Sequence, residues 1–156
     1  DDPALEIDTS CLLAIRGCGP VGYPGSAEVV NMQPPAELIK KGVDTLPTMG
    51  DGRQSGTAAS PSILNISPES AIGGNLALLE TGDSIRVDLN TCSVKLQVSD
   101  AELARRRAAY TPPKLEHQTP WQEIYRGCVG QLDTGGCLEL ATKYRGVGGC
   151  VPRRNH

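Results

Sequence analysis

The sequence predicts a mixed α/β domain, and three observations predict it. Short apolar runs each end in a loop rich in glycine and proline, the pattern of buried strands that deliver loops. Residues 84–98 alternate polar and apolar on both sides of a turn, as a half-buried hairpin does. Short segments with helix-capping residues at their starts lie between and after these. The chain has 156 residues, 38% hydrophobic and 21% charged, the composition of one soluble globular domain with a real core. Phe is absent and aromatics total 3%, so the core must be aliphatic, and 18 Gly with 12 Pro make the chain turn often.

Taken in order, residues 10–16, SCLLAIR, suit a buried strand that stops at the long break from Gly17 to Ser26. Ser26 reads as the cap of a helix through Ala27, Glu28, Val29 and Val30. Residues 35–41 read as a second short helix closed by Gly42. Leu46 to Met49 reads as a short strand feeding GDGRQSGT at 50–57, and residues 61–66, PSILNI, are apolar. Ser67-Pro68-Glu69-Ser70-Ala71 has the cap, first-turn Pro and acidic turn of a helix start, broken early by Gly73-Gly74. The hairpin pairs 84–89 with 93–98. Ser99 and Glu102 then open a helix reaching Ala109. A proline-containing linker, 111–119, precedes a helix from Trp121 to Val129, and an irregular glycine-rich tail ends the chain.

Several classes of function are excluded. A net charge of −3 leaves no footprint for nucleic acid. The run Arg105-Arg106-Arg107 reads as a solvated helix end, where cations are favoured. No apolar stretch approaches about 20 residues, so no membrane span is expected. The six cysteines form no C-x-x-C and fit no zinc spacing, so they read as free, mostly buried thiols, and the expected location is cytoplasmic. Asp1-Asp2-Pro3 is neither a start methionine nor a signal peptide, which reads as a chain cut from something longer.

Two polar loops follow apparent strands, RGCGPVGYPGSAE at 16–28 and GDGRQSGT at 50–57. Loops of small residues at strand ends are common ligand sites. The second loop lacks the phosphate-cradle, dinucleotide and hydrolase-elbow patterns. Neither His117 nor His156 is near Ser55 in sequence.

The runs GPVGYPGSAEVVNMQPP, GDGRQSGTAASPSILNISPESAIGGNLALLETGD and SDAELARRR, in this order across the chain, resemble the C-terminal domain of the dihydroxy-acid and sugar-acid dehydratases. Ser-Gly-Thr at 55–57 and the ending QTPWQEIYRGCVGQLDTG…PRRNH are similar to the branch acting on pentonates such as arabinonate and xylonate.

The resemblance implies a mixed β-barrel flanked by helices, a swivelling domain lacking its first strands, with residues 1–156 its partial C-terminal dehydratase domain. It implies a hydro-lyase that removes water from a 2,3-dihydroxy acid to give a 2-keto acid. An iron–sulfur cluster would bind the leaving hydroxyl, with its ligands in an N-terminal domain absent here, and Mg²⁺ would hold the carboxylate side. By resemblance Ser55 is the base, Thr57 assists it and contacts substrate, Glu28 is a Mg²⁺ ligand, and His156 reaches a neighbouring subunit's site. Asp51 and Arg53 are expected to fix the loop. Arg154 departs from the family ending, where an acidic residue is usual. The implied partners are a sugar-acid or dihydroxy-acid substrate, the N-terminal domain and further copies in a homo-oligomer, with no nucleic acid or membrane. The isolated chain should lack activity. The rival reading is a non-enzymatic, split-off domain kept for dimerisation or protein contacts.

Overall fold

The computed structural model describes residues 3–26, 28–29, 32–54 and 59–149. Its framework is a three-stranded parallel sheet in the order β1–β3–β5, formed by β1 (Leu13–Ile15), β3 (Thr48–Gly50) and β5 (Ser62–Ile63). Leu13 pairs with Thr48, and Thr48 with Ser62. The central strand is buried at all three positions, as a parallel strand covered on both faces must be. Its polar Thr48 is accommodated because its hydroxyl lies 2.8 Å from that of Ser62.

A second parallel pair joins β2 (Glu28–Val29) to β4 (Arg53–Gln54), with Glu28 opposite Arg53. The helix expected from Ser26 to Val30 is therefore corrected to a turn and a strand, as far as its residues are described. Ser26 has φ +58°, in the left-handed region, whereas a helix cap sits in extended backbone. Pairing with β4 then takes the backbone of Glu28 and Val29. The hairpin forms as expected, β6 (Ile85–Asp88) against β7 (Ser93–Leu96), with Ile85 opposite Leu96. Asp88 shapes its turn by accepting from the N–H groups of Asn90 and Thr91. The three sheets stay separate among the described residues, so these strands show an α/β domain with parallel and antiparallel pairs and no closed barrel.

Of the helices, α1 (Ala36–Lys40) is closed by Gly42 at φ +86°. The segment after Ser67 makes 3₁₀ turns at Ser70–Ile72 and Asn75–Leu78, split by Gly73 and Gly74. Helix α2 (Asp100–Ala109) starts where Ser99 Oγ accepts from the Glu102 N–H. Arg106 corrects the reading of a solvated end, which holds for the exposed Arg105 and Arg107. Arg106 is 9% exposed and donates to Asp83, Glu102 and the Leu78 carbonyl, while Arg107 donates to Asn75. They fasten α2 to the 3₁₀ turns.

Helix α3 (Pro120–Cys128) carries a full capping box between Thr119 and Gln122, with Pro120 in its first turn. Of the tail expected to be irregular, residues 147–149 belong to a 3₁₀ segment and residues 150–156 lie outside the described residues. Val129 bridges Leu138, and 3₁₀ turns cover Leu132–Thr134 and Glu139–Gly149.

Among the described residues the buried apolar side chains are Cys18, Leu46, Met49, Ala71, Leu76, Leu78 and Val129, mostly aliphatic as expected and none of them aromatic. The cysteines need correction. Five are described and all are free, but only Cys18 is buried; Cys92 and Cys137 are exposed. The small core leaves much apolar surface, including Trp121, Ile124, Leu140 and Tyr144. The chain exposes 10939 Å², against about 7,500 Å² for a compact monomer of its 16.5 kDa.

Candidate functional site

Strand β3 ends by delivering Asp51 into the interior, where it is fully buried. Burying a charge requires partners, and four N–H and O–H groups provide them. Cys18 N–H donates to one carboxylate oxygen at 3.0 Å. The other oxygen accepts from Gly17 N–H at 3.0 Å, Ser70 N–H at 2.8 Å and Ser70 Oγ at 2.6 Å. Asp51 thus pins the start of the first loop and the first 3₁₀ turn to the end of β3. Burial pushes the neighbouring Cys18 thiol up from its ordinary value, and the Asp51 charge adds to it, so this thiol is held protonated and unreactive.

A second buried carboxylate, Glu69, grips the middle of the same loop. It accepts from Val21 N–H at 2.8 Å and Gly22 N–H at 2.9 Å. Gln131, from the segment after α3, donates its amide to Glu69 Oε1 at 2.7 Å and accepts the Glu69 N–H at 2.9 Å. Two glycines make this approach possible. A Cβ on Gly19 would overlap the Glu69 side chain, and one on Gly22 would overlap the Gly17 carbonyl. The loop closes on itself as Tyr23 N–H donates to Gly17 O at 2.8 Å and Ser26 N–H to Cys18 O at 3.0 Å.

The far end of the loop is tied to the second loop. Arg53 Nε donates to the Ser26 carbonyl at 2.7 Å, so Arg53 and Asp51 both bind loop backbone, as the sequence led one to expect. Ser26 Oγ is itself buried and finds no hydrogen-bond partner among the described residues. Two residues on, Glu28 is exposed, and no hydrogen bond or ion pair of its carboxylate occurs among the described residues.

An unengaged carboxylate suits one oxygen donor to a hard cation such as Mg²⁺. It is one donor only: no group of three or more His, Cys, Asp or Glu able to hold a metal occurs among the described residues. The same observation means that the described cysteines do not fit an iron–sulfur cluster. Ser55, Thr57 and His156 lie outside the described residues. An open cleft of about 630 Å³ adjoins the first loop, lined by Arg16, Gly17, Tyr23, Ser70, Arg106 and Tyr110 among others.

Sequence reasoning missed Glu69, Ser70 and Gln131 as parts of this arrangement. Glu69 was legible only as an acidic first-turn residue, and nothing near Gln131 marks it. A buried acid holding a distant loop leaves no local pattern.

Residues 3–136 match the family described as dihydroxy-acid/6-phosphogluconate dehydratase C-terminal, and the chain belongs to that family. It is 62% identical over its whole length to a D-xylonate dehydratase of Caulobacter vibrioides, covering 26% of that protein. It is 40% identical over 146 residues, 94% of the chain, to an L-arabinonate dehydratase of Rhizobium leguminosarum, covering 25% of it. A dihydroxy-acid dehydratase of Clostridium beijerinckii is 37% identical over 147 residues, 90% of the chain and 26% of that protein. The chain thus spans about a quarter of the length of the curated relatives it matches. No helix among the described residues is long and apolar enough to cross a membrane.

Proposed function

We propose that this chain is the C-terminal part of a hydro-lyase that dehydrates a 2,3-dihydroxy sugar acid, D-xylonate first among candidates, to its 2-keto-3-deoxy acid. The observation that carries the reading is the β2–β4 register. It sets Glu28, whose carboxylate has no partner among the described residues, opposite Arg53, which lies two residues before Ser55 in the sequence. Loss of water needs a base for the C2 proton and assistance for the departing C3 hydroxyl. In this reading Ser55 takes the proton, and Thr57 steadies Ser55 and the bound acid. Glu28 would give Mg²⁺ one carboxylate oxygen, and the ion would supply stabilisation of the negative charge that develops as the C2 proton leaves. His156 contacts the substrate held by a neighbouring subunit. The assistance to the leaving hydroxyl, by resemblance an iron–sulfur cluster, comes from a preceding domain. The three small sheets are in this view parts of one mixed barrel in an oligomeric protein. What supports this is that β1 and β5 are both edge strands of their sheet.

The test is keto-acid formation from a panel of aldonic acids, by the full-length polypeptide prepared anaerobically. D-xylonate should be turned over best, and Ser55→Ala should lower kcat by at least about 100-fold, the range of a lost general base. An unchanged kcat in Ser55→Ala would overturn the assignment of the base.

A further inference from the structure

We propose that Glu69 and Gln131 are positioning residues for the cation that Glu28 would hold, so that the segment after α3 governs that site from the far side of the glycine loop. The proposal rests on the reading of Glu28 given above.

The argument runs along the backbone of residues 17–28. Among the described residues that stretch is held by side chains at four places: Asp51 takes the N–H groups of Gly17 and Cys18, Glu69 those of Val21 and Gly22, Tyr125 donates its hydroxyl to the carbonyl of Gly25, and Arg53 donates to that of Ser26. Glu28 follows two residues after the last hold. Asp51 and Arg53 lie on the segment that leads to Ser55, so they set each loop relative to the other. Glu69 acts differently, because its own orientation depends on Gln131.

Glu69 Oε1 serves both Val21 N–H and the Gln131 amide, which fixes the plane of the carboxylate and aims Oε2 at Gly22 N–H. The return bond from Glu69 N–H to Gln131 Oε1 makes the contact two-pronged. Glu69 is fully buried, so water does not readily replace a lost partner. A second tie, from Ser67 Oγ to Asp133 at 2.8 Å, holds the same two segments together. The Tyr125 ring of α3 lies under Gly25, where a Cβ would stand 3.3 Å from it. Residues from 125 to 133 therefore bear on the loop at Gly25 directly and at Val21 and Gly22 through Glu69.

The experiment uses the full-length polypeptide stripped of divalent ions, with Mg²⁺ titrated in by calorimetry and amide exchange of residues 17–25 followed by mass spectrometry. Gln131→Leu keeps the bulk of a half-buried side chain and removes both bonds to Glu69. It should weaken Mg²⁺ binding at least about tenfold, the usual effect of losing a group that orients a ligand. It should also speed exchange at Val21 and Gly22. Glu69→Gln puts an amide before two N–H donors and should do the same more strongly; if it fails to fold, Gln131→Leu carries the test.

Asp83→Asn, which loosens α2 instead, should lower thermal stability and leave Mg²⁺ affinity within about twofold. A folded Gln131→Leu protein with unchanged affinity, while Glu28→Gln weakens binding, would overturn the relay alone. Unchanged affinity in Glu28→Gln would instead remove the metal role of Glu28, and the relay with it.

Discussion

Ser26 combines two local penalties, a non-glycine residue at φ +58° and a buried hydroxyl without a partner among the described residues. Each costs on the order of 1 kcal/mol, and the chain retains both beside Glu28. Ser26→Gly relieves both, offset by the greater freedom of glycine in the unfolded chain. The expected net effect is stabilisation of about 1 kcal/mol, read as a higher urea midpoint at constant m-value. Destabilisation would mean that the hydroxyl is satisfied by a group outside the described residues. Asp51 shows the opposite economy at this scale, since one carboxylate holds four donors from two segments. The loop GDGRQSGT looked empty of core-forming residues, yet its acid is among the most buried side chains described.

Among the elements, the docking of α2 depends most on charge. Arg106 meets Asp83 at 2.6 Å and Glu102 at 2.8 Å, and Glu102 also holds Arg105. Hydrogen bonds from Arg105 and then Arg106 hold the Glu102 carboxyl down at about 2, and Arg106 holds Asp83 below the usual carboxylate range. A carboxylate depressed in the folded state stabilises above its unfolded value, and that contribution fades as pH falls toward the folded value. The docking of α2 should therefore weaken between about pH 4.5 and pH 2. Amide exchange across 100–109 against pH measures it, and Asp83→Asn should move the onset to higher pH. Unaltered protection down to pH 2 would show that packing, not charge, fastens the helix.

The same comparison shows how far elements were legible. The hairpin and α2 could be read because their signals are local, alternation and Ser99 with Glu102, whereas α3 was expected only from Trp121 and its start at Thr119 and Pro120 went unread. The strand at Glu28–Val29 could not, because its cause is pairing with Arg53–Gln54, 25 residues away, and a Ser before Ala-Glu imitates a helix cap. For the site, the two loops were legible as loops, and Asp51 and Arg53, expected to fix the loop, hold backbone of the preceding one. The partner acid Glu69 and its amide Gln131 were not, since only the tertiary fold brings positions 21, 69 and 131 together.

For the molecule as a whole, surface outweighs core. Its exposed area is well above that of a compact monomer of equal mass. Helix α3 presents the lone tryptophan, Trp121, at 78% exposure, with Ile124 at 55%. Apolar patches of this kind associate. The isolated 156-residue chain should self-associate with rising concentration in sedimentation velocity, while Trp121 becomes less accessible to iodide quenching. Trp121→Gln together with Ile124→Lys should restore the monomer. A chain monomeric at all concentrations, with a freely quenched tryptophan, would show that this face needs no cover.

The parallel sheet has a consequence for the order in which this chain can take shape. Leu13 finds its partner only at Thr48, and Thr48 its second neighbour only at Ser62. A nascent chain emerging from the ribosome as far as residue 40 therefore holds β1 with no neighbour from this sheet. The hairpin at 85–96 and the helix at 100–109 are self-contained as soon as they leave the tunnel. The segment bearing the glycine loop is thus made well before it is completed, since its tether from position 131 leaves the tunnel about a hundred residues after the loop itself.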